Sequence, residues 1–284
     1  MSFLISLYHK TCYNYDRPVF LSPHIFRLKP AAHSQAIINS YSFHVEPQEH
    51  KVHWQQDVSG NFIARVDFDR SMEEMSVEIR LDATLTPTNP FDFLIDDYAL
   101  TAPFFYPPQT RNDLWPYLEI TDYGFLLSSL VSRAQNLRGD TISFLVNLNN
   151  LIYKEIAYST RMEEGVLSSE QTLQNGIGAC RDSAWLQVQV LRHLGLASRF
   201  VSGYLVQILE TGGTGSVDLH AWAEVYIPGA GWIGLDATSG LFASEGHIPL
   251  ACSPRPKDAM PVTGTTGPTI STIHYENTVS YKVI

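Results

Sequence analysis

Charge is scarce along these 284 residues: Asp, Glu, Lys and Arg make up 17%, against 44% hydrophobic and 12% aromatic side chains. Charge this sparse excludes the solvating composition of a disordered chain, so the sequence should fold throughout. Basic residues are the rarer sign, 19 Lys and Arg against 29 Asp and Glu, for a formal net charge of -10. That balance argues against nucleic-acid backbones and anionic membrane surfaces as partners, since both are held by Lys and Arg. No run approaches the roughly 18 to 20 apolar residues that a membrane-spanning helix needs. The opening residues, MSFLISLYHKTCYNY, lack the basic region and the long apolar stretch of a secretion signal, which makes a cytoplasmic location the expectation. Cysteine is rarer still. Cys12, Cys180 and Cys252 are odd in number and far apart, which fits neither a disulfide framework nor a zinc-ligand spacing. Each is therefore a free thiol, and the question is whether one of them is reactive.

The length leaves room for two modest domains or one large one. Segments 58–68 (VSGNFIARVDF) and 75–85 (MSVEIRLDATL) alternate apolar and polar residues at period two, which predicts a half-buried antiparallel sheet in the first part of the chain. Six prolines between residues 86 and 116 (Pro87, Pro90, Pro103, Pro107, Pro108 and Pro116) forbid long regular elements there. The expected division is a β-rich region over 1–110 and an α+β region over 111–284. Helices are expected over 122–137 and 141–158, the second carrying Ile142, Leu145, Val146, Asn149, Ile152 and Ile156 at helical spacing, with Asp140 as its N-cap. A third should run from about Cys180 to Leu194 and end at Gly195. From Ser198 onward period two returns, so helices come first in this half and strands after.

Cys180 stands where a glycine-punctuated loop meets that third helix. A thiol at a helix start faces free backbone N–H groups and the positive end of the helix dipole, which favour the thiolate. The same N–H groups can hold an oxyanion. Gly176 and Gly178 leave room for a substrate to approach. The plain alternative is that the cysteine is a small buried hydrophobe.

A thiolate nucleophile needs a base, and the base needs an orienting partner. His220 opens LHAWAEVYI and Asp236 ends GWIGLDAT, two strands that can pair as a hairpin. A plain four-residue loop over 228–231 would set Asp236 opposite Ala223 and turn it to the face away from His220. A shift of one residue sets it opposite Trp222, diagonal to His220 and within reach. Gly229 and Gly231 make a three-residue turn feasible, and that shift is the expectation. Taken singly, the histidine could be a locally bonded strand residue and the aspartate a turn carboxylate.

Together, residues 176–205 (GIGACRDSAWLQVQVLRHLGLASRFVSGYL) and 218–240 (DLHAWAEVYIPGAGWIGLDATSG) resemble the transglutaminase-like superfamily, whose core is papain-like with a cysteine, a histidine and an aspartate. The resemblance extends over about residues 120–260. The stretch TCYNYDRPVFLSPHIFRLKP is similar to the β-rich domain that precedes this core in bacterial members. The resemblance implies Cys180 as nucleophile, His220 as general base and acid, and Asp236 as the residue orienting the imidazole. It implies an enzyme that acts on peptide or glutamine carboxamide bonds of a protein or peptide substrate through a thioester; that chemistry needs no cofactor, and hydrolysis is expected ahead of transamidation because the sequence matches neither a calcium switch nor a lysine-substrate site. The tryptophan that assists in the calcium-dependent animal enzymes has no match here. Gln174, six residues before Cys180, falls where papain-like proteases place a glutamine oxyanion donor. The alternatives are a catalytically silent binding or scaffold module and, more remotely, a redox-sensing thiol, for which no resolving cysteine lies close in sequence.

Trp185 and Trp222 flank the expected site as candidate cleft walls, although large aromatics in such places more often fill core. Asp182 would stabilise its helix N-terminus and could steer Arg181. The glycine-rich segment 210–218 (ETGGTGSVD) precedes His220 and is read as a surface hairpin rather than a lid. The carboxylates of FDFLIDD (91–97) do not follow a calcium-loop pattern, and no metal is expected. His50 and His53 are read as surface residues, Cys12 and Cys252 as structural thiols without a base.

Overall fold

The computed structural model describes residues 1–208 and 213–284. Six strands come first: β1 (Phe3–Val19), β2 (His24–Phe26), β3 (Ile37–Glu46), β4 (His50–Gln56), β5 (Phe62–Phe68) and β6 (Met72–Leu85). Then come α1 (Pro108–Asp113), α2 (Trp115–Leu118), α3 (Phe125–Gln135), α4 (Thr141–Glu155), β7 (Ala157–Tyr158), α5 (Ser169–Asn175), β8 (Ile177–Gly178) and α6 (Cys180–His193). Strands close the chain: β9 (Ser198–Ile208), β10 (Thr214–Ile227), β11 (Gly231–Asp236), β12 (Leu241–Phe242), β13 (His247–Ser253), β14 (Val262–Thr263) and β15 (Ser271–Val283). This is an α+β architecture with a β-rich N-terminal region. Among the described residues, no helix is long and apolar enough to cross a membrane.

Each helix starts and stops for local reasons. The Asp140 carboxylate accepts the Ser143 N–H at 2.9 Å, an N-cap for α4. That helix buries Phe144, Leu145, Leu148 and Ile152 against the helical core. It stops at Glu155, three residues short of the expectation. Ala157 N–H instead donates to Gly176 O and Ser159 N–H to Gly178 O, so β7 pairs in parallel with β8. The segment before Cys180, expected as loop, contains α5, seven residues capped by a Ser168–Gln171 capping box and ended by Gly176 at φ +65°. Its signal, Ser followed three residues later by Gln, was present in the sequence.

The main sheet runs β12-β11-β10-β15-β1-β6-β3, with β9 and β13 attached through β10. The last strand leaves the helical half and lies along β1 from Phe3↔Val283 to Tyr15↔Ser271. One apolar core mixes Ile5, Leu7, Val77 and Ile79 with Tyr204, Val206, Ile248 and Leu250. The sheet and this core therefore both cross residue 110. The second core packs α3, α4 and α6 onto Val225, Ile227 and Leu235.

Candidate active site

Cys180 is the first residue of α6, whose N-cap is Ala179. The thiol is partly exposed and opens into a cavity of about 650 Å³ that His220 and Thr238 also line. Immediately behind it, Asp182 is fully buried. Its carboxylate accepts the Ala179 N–H at 3.0 Å and the Leu167 N–H at 2.9 Å, and pairs with Arg161 at 2.9 Å. Burial by itself would raise this carboxyl, but Arg161 and the two N–H donors hold it below the usual range. The partner of Asp182 is thus Arg161, not Arg181, which donates to the carbonyls of Gly165, Arg161 and Glu163. The clamp pins residues 161–167 against the start of α6.

The β10–β11 hairpin pairs Ile227 with Gly231 and Ala223 with Leu235, which sets Asp236 opposite Trp222. This is the shifted register. Its cause is a tight turn with Pro228 second and Gly229 third at φ +86°, closed by the Ala230 N–H to Ile227 O at 3.0 Å. Asp236 accordingly shares a face with His220, and His220 Nε2 lies 3.0 Å from Asp236 Oδ2.

Every oxygen of Asp236 is used. Oδ1 accepts from Thr238 N–H at 2.9 Å and from Thr238 Oγ1 at 2.7 Å. Oδ2 accepts from His220 and, at 3.4 Å, from His247 Nε2. His247 was missed by the sequence reading. Its Nδ1 accepts the Ser244 N–H at 3.2 Å, so Nε2 carries the proton that points at Asp236. Burial would raise the Asp236 carboxyl, yet the two imidazoles and Thr238 outweigh it and keep it well below the usual carboxylate range. Burial likewise pulls His220 down, but its hydrogen bonds and charge interactions with Asp236 and Cys180 prevail and lift it to about 10. With Nε2 facing Asp236, Nδ1 is the nitrogen left for the Cys180 thiol.

The remaining sequence candidates lie elsewhere. Gln174 is exposed on α5 and is not among the residues lining the Cys180 cavity. Trp185 and Trp222 are 7% and 1% exposed and fill core instead of walling the cleft. Trp185 donates to Asp122 at 3.1 Å. Trp222 stacks behind His220 at 6.4 Å and meets His247 edge-on at 5.1 Å, backing the imidazole pair from the core side. Gly176 and Gly178 serve the α5 cap and the β7–β8 pairing, and neither lines the cavity. Residues 210–212 of the expected 210–218 hairpin lie outside the described residues, and Thr214 to Asp218 already belong to β10. Cys252 does have a base beside it, His33 Nε2 at 3.4 Å, but burial pushes its thiol far up. Two groups have metal-ligand chemistry and spacing among the described residues, His220/Asp236/His247 and His33/Glu224/Cys252. In the first the ligand atoms already bond one another, and in the second Arg199 sits on Glu224 at 2.6 Å.

A papain-like arrangement of helices on an antiparallel sheet, with a cysteine at a helix start facing a strand histidine and aspartate, defines the class. Residues 129–237 match the transglutaminase-like superfamily model and residues 5–84 the bacterial transglutaminase-like N-terminal region. The chain thus carries a transglutaminase-like core preceded by the bacterial transglutaminase-like N-terminal region. It is similar over its whole length to the crystal structure of a "putative cysteine protease" from Cytophaga hutchinsonii. The TM-score is 0.71 at 19% identity, over 99% of this chain and 98% of that one. An uncharacterized protein of Mycobacterium tuberculosis is 31% identical over 133 residues, 43% of this chain and 41% of that protein. One of Mycobacterium leprae is 33% identical over 89 residues, 31% of each. The chain thus spans less than half the length of these mycobacterial relatives.

Proposed function

We propose that this chain is a thiol acyl-transfer enzyme that hydrolyses a peptide or carboxamide bond, with Cys180 as nucleophile, His220 as base and acid, and Asp236 orienting the imidazole. The observation that carries this is one continuous line of contact: His220 Nε2 bonds Asp236 Oδ2 at 3.0 Å, and the same imidazole has the Cys180 thiol as its other partner. With the Cys180 proton already resting on His220, the thiolate Sγ attacks the carbonyl carbon and the carbonyl electron pair moves to oxygen. That oxyanion faces the first N–H groups of α6, of which Cys180's own needs no side-chain identity. On collapse the C–N bond breaks and His220 protonates the departing amine, leaving a thioester. Water then gives a proton to His220 and attacks, and Sγ leaves as the thiolate, which restores the pair with the imidazolium. Hydrolysis ranks ahead of transamidation because water reaches any open thioester, whereas an amine must be bound to compete.

The test is the rate of Cys180 alkylation by iodoacetamide against pH, in the native protein and in His220→Ala. A thiolate paired with an imidazolium should react well below the ordinary thiol range near ~8.5 and lose that acid-side reactivity in the variant. A thiol titrating alike in both proteins would sink the nucleophile assignment.

A further inference from the structure

The cavity around Cys180 has a second wall that the acyl-transfer chemistry does not require. On β1, residues Ile5 and Leu7 face the core, and the same strand face continues as His9, Thr11 and Tyr13 into the cavity. On β15 their direct partners in the ladder are Asn277, Tyr275 and Ile273, and these line the cavity too. Three consecutive cross-strand pairs thus stand opposite the nucleophile. Among the described residues, β15 pairs with β10 only at Thr214 and Gly215, so the two strands part just before His220 and the cavity lies in the wedge.

This wall carries no charged side chain, and its exposed part is apolar. Tyr275 is 57% exposed and Ile273 46%, and across the cleft Tyr158 is 60% and Met162 65% exposed. Four large apolar side chains exposed around one cavity mark a binding surface, because exposed apolar groups are ordinarily scattered singly and not gathered about one cleft. Burial pulls His9 down to about 4 and pushes Tyr13 up to about 12, so neither carries charge near neutral pH. The guanidiniums that border the cavity are occupied: Arg161 by Asp182 and the Gly165 carbonyl, Arg181 by three main-chain carbonyls. Both guanidiniums thus spend most of their N–H groups inside the protein. Among the described residues the one carboxylate on the rim is Asp218, which would repel an acidic side chain.

We propose that the β1–β15 wall is the side-chain subsite of Cys180 and that it selects peptides with an uncharged aromatic or large aliphatic side chain beside the attacked carbonyl. This rests on the nucleophile assignment above and gives the N-terminal region its part in catalysis: together with the final strand it supplies one half of the cleft, and the transglutaminase-like core supplies the other.

The probes are benzyloxycarbonyl-phenylalanyl, -glycyl and -aspartyl chloromethyl ketones, in which the thiolate displaces chloride and the adduct on Cys180 is followed by mass spectrometry. The phenylalanyl probe should alkylate about 10-fold or more faster than either of the others, the discrimination that one apolar side chain gives in a fitted pocket. Tyr275→Ala and Met162→Ala, from opposite walls and at exposed positions that the fold tolerates, should each reduce that ratio severalfold. Equal rates for the three probes, a faster aspartyl probe, or a ratio unmoved in both variants would overturn the subsite. Iodoacetamide, which has no side chain to place, separates the two layers. Fast reaction with it at pH 6 alongside a flat probe series overturns the subsite alone. Slow reaction with it overturns the nucleophile and the subsite together.

Discussion

Asp236 is the residue on which the site turns, since four donors converge on it and two are imidazoles. Losing its charge should matter more than losing its volume. In Asp236→Asn the amide can neither charge-stabilise an imidazolium nor hold the same tautomer, so His220 falls back from about 10 toward its ordinary range. The acid-side limb of Cys180 alkylation should therefore move up by a unit or more, and turnover should drop on the order of 10³ to 10⁴, as when a triad aspartate is neutralised. His247→Ala should do less. It removes a donor that shares Oδ2 with His220, leaves Thr238 and His220 in place, and so moves the limb the other way, to lower pH, by a fraction of that amount. His247→Gln, which restores a donor, should recover part of the shift, and a pH profile identical to native in His247→Ala would show the contact to be idle.

At the scale of elements, the position of the triad depends on a turn. Type II geometry asks for Pro then Gly, and Pro228–Gly229 supplies both. The register of β10 on β11 was therefore legible from the sequence, and with it the side-by-side placement of His220 and Asp236. So were the start of α6, from Cys180 after its glycines, and the Asp140 cap. What was not legible arrives from far along the chain. His247 reaches Asp236 because β13 docks on β9, with His247 opposite Leu205, a pairing no local pattern announces. Trp185 and Trp222 looked like cleft walls because sequence proximity says nothing of which side of a strand faces core. The turn carries a prediction of its own. A Cβ on Gly229 would lie 2.8 Å from the Asp96 backbone nitrogen, at a φ of +86° that side chains rarely adopt. Gly229→Ala should cost about 1 kcal/mol or more in denaturant unfolding and weaken the acid-side alkylation of Cys180. A loss of stability with the alkylation profile unchanged would mean that the strands, not the turn, hold the register.

Across the whole molecule, the two family regions are separated in sequence, 5–84 and 129–237, but joined in space by the final strand. β15 makes thirteen paired positions with β1, and Tyr204, Val206, Ile248 and Leu250 from the core half pack among the N-terminal strands. Apolar burial shared in this way couples the halves: peeling β1 and β6 away would expose the buried faces of β9 and β13 at about 25 cal/mol per Å². Chains of this length often unfold in steps, so coupling has a measurable signature. Under native conditions with small additions of denaturant, the slowest-exchanging amides of β1 and β6 should report the same opening free energy, with the same denaturant dependence, as those of α6 and β10. Separate values, with β1 and β6 opening first while α6 stays protected, would show that the shared sheet transmits no cooperativity. The cleft wall on β1 could then loosen without unfolding the half that holds Cys180, His220 and Asp236.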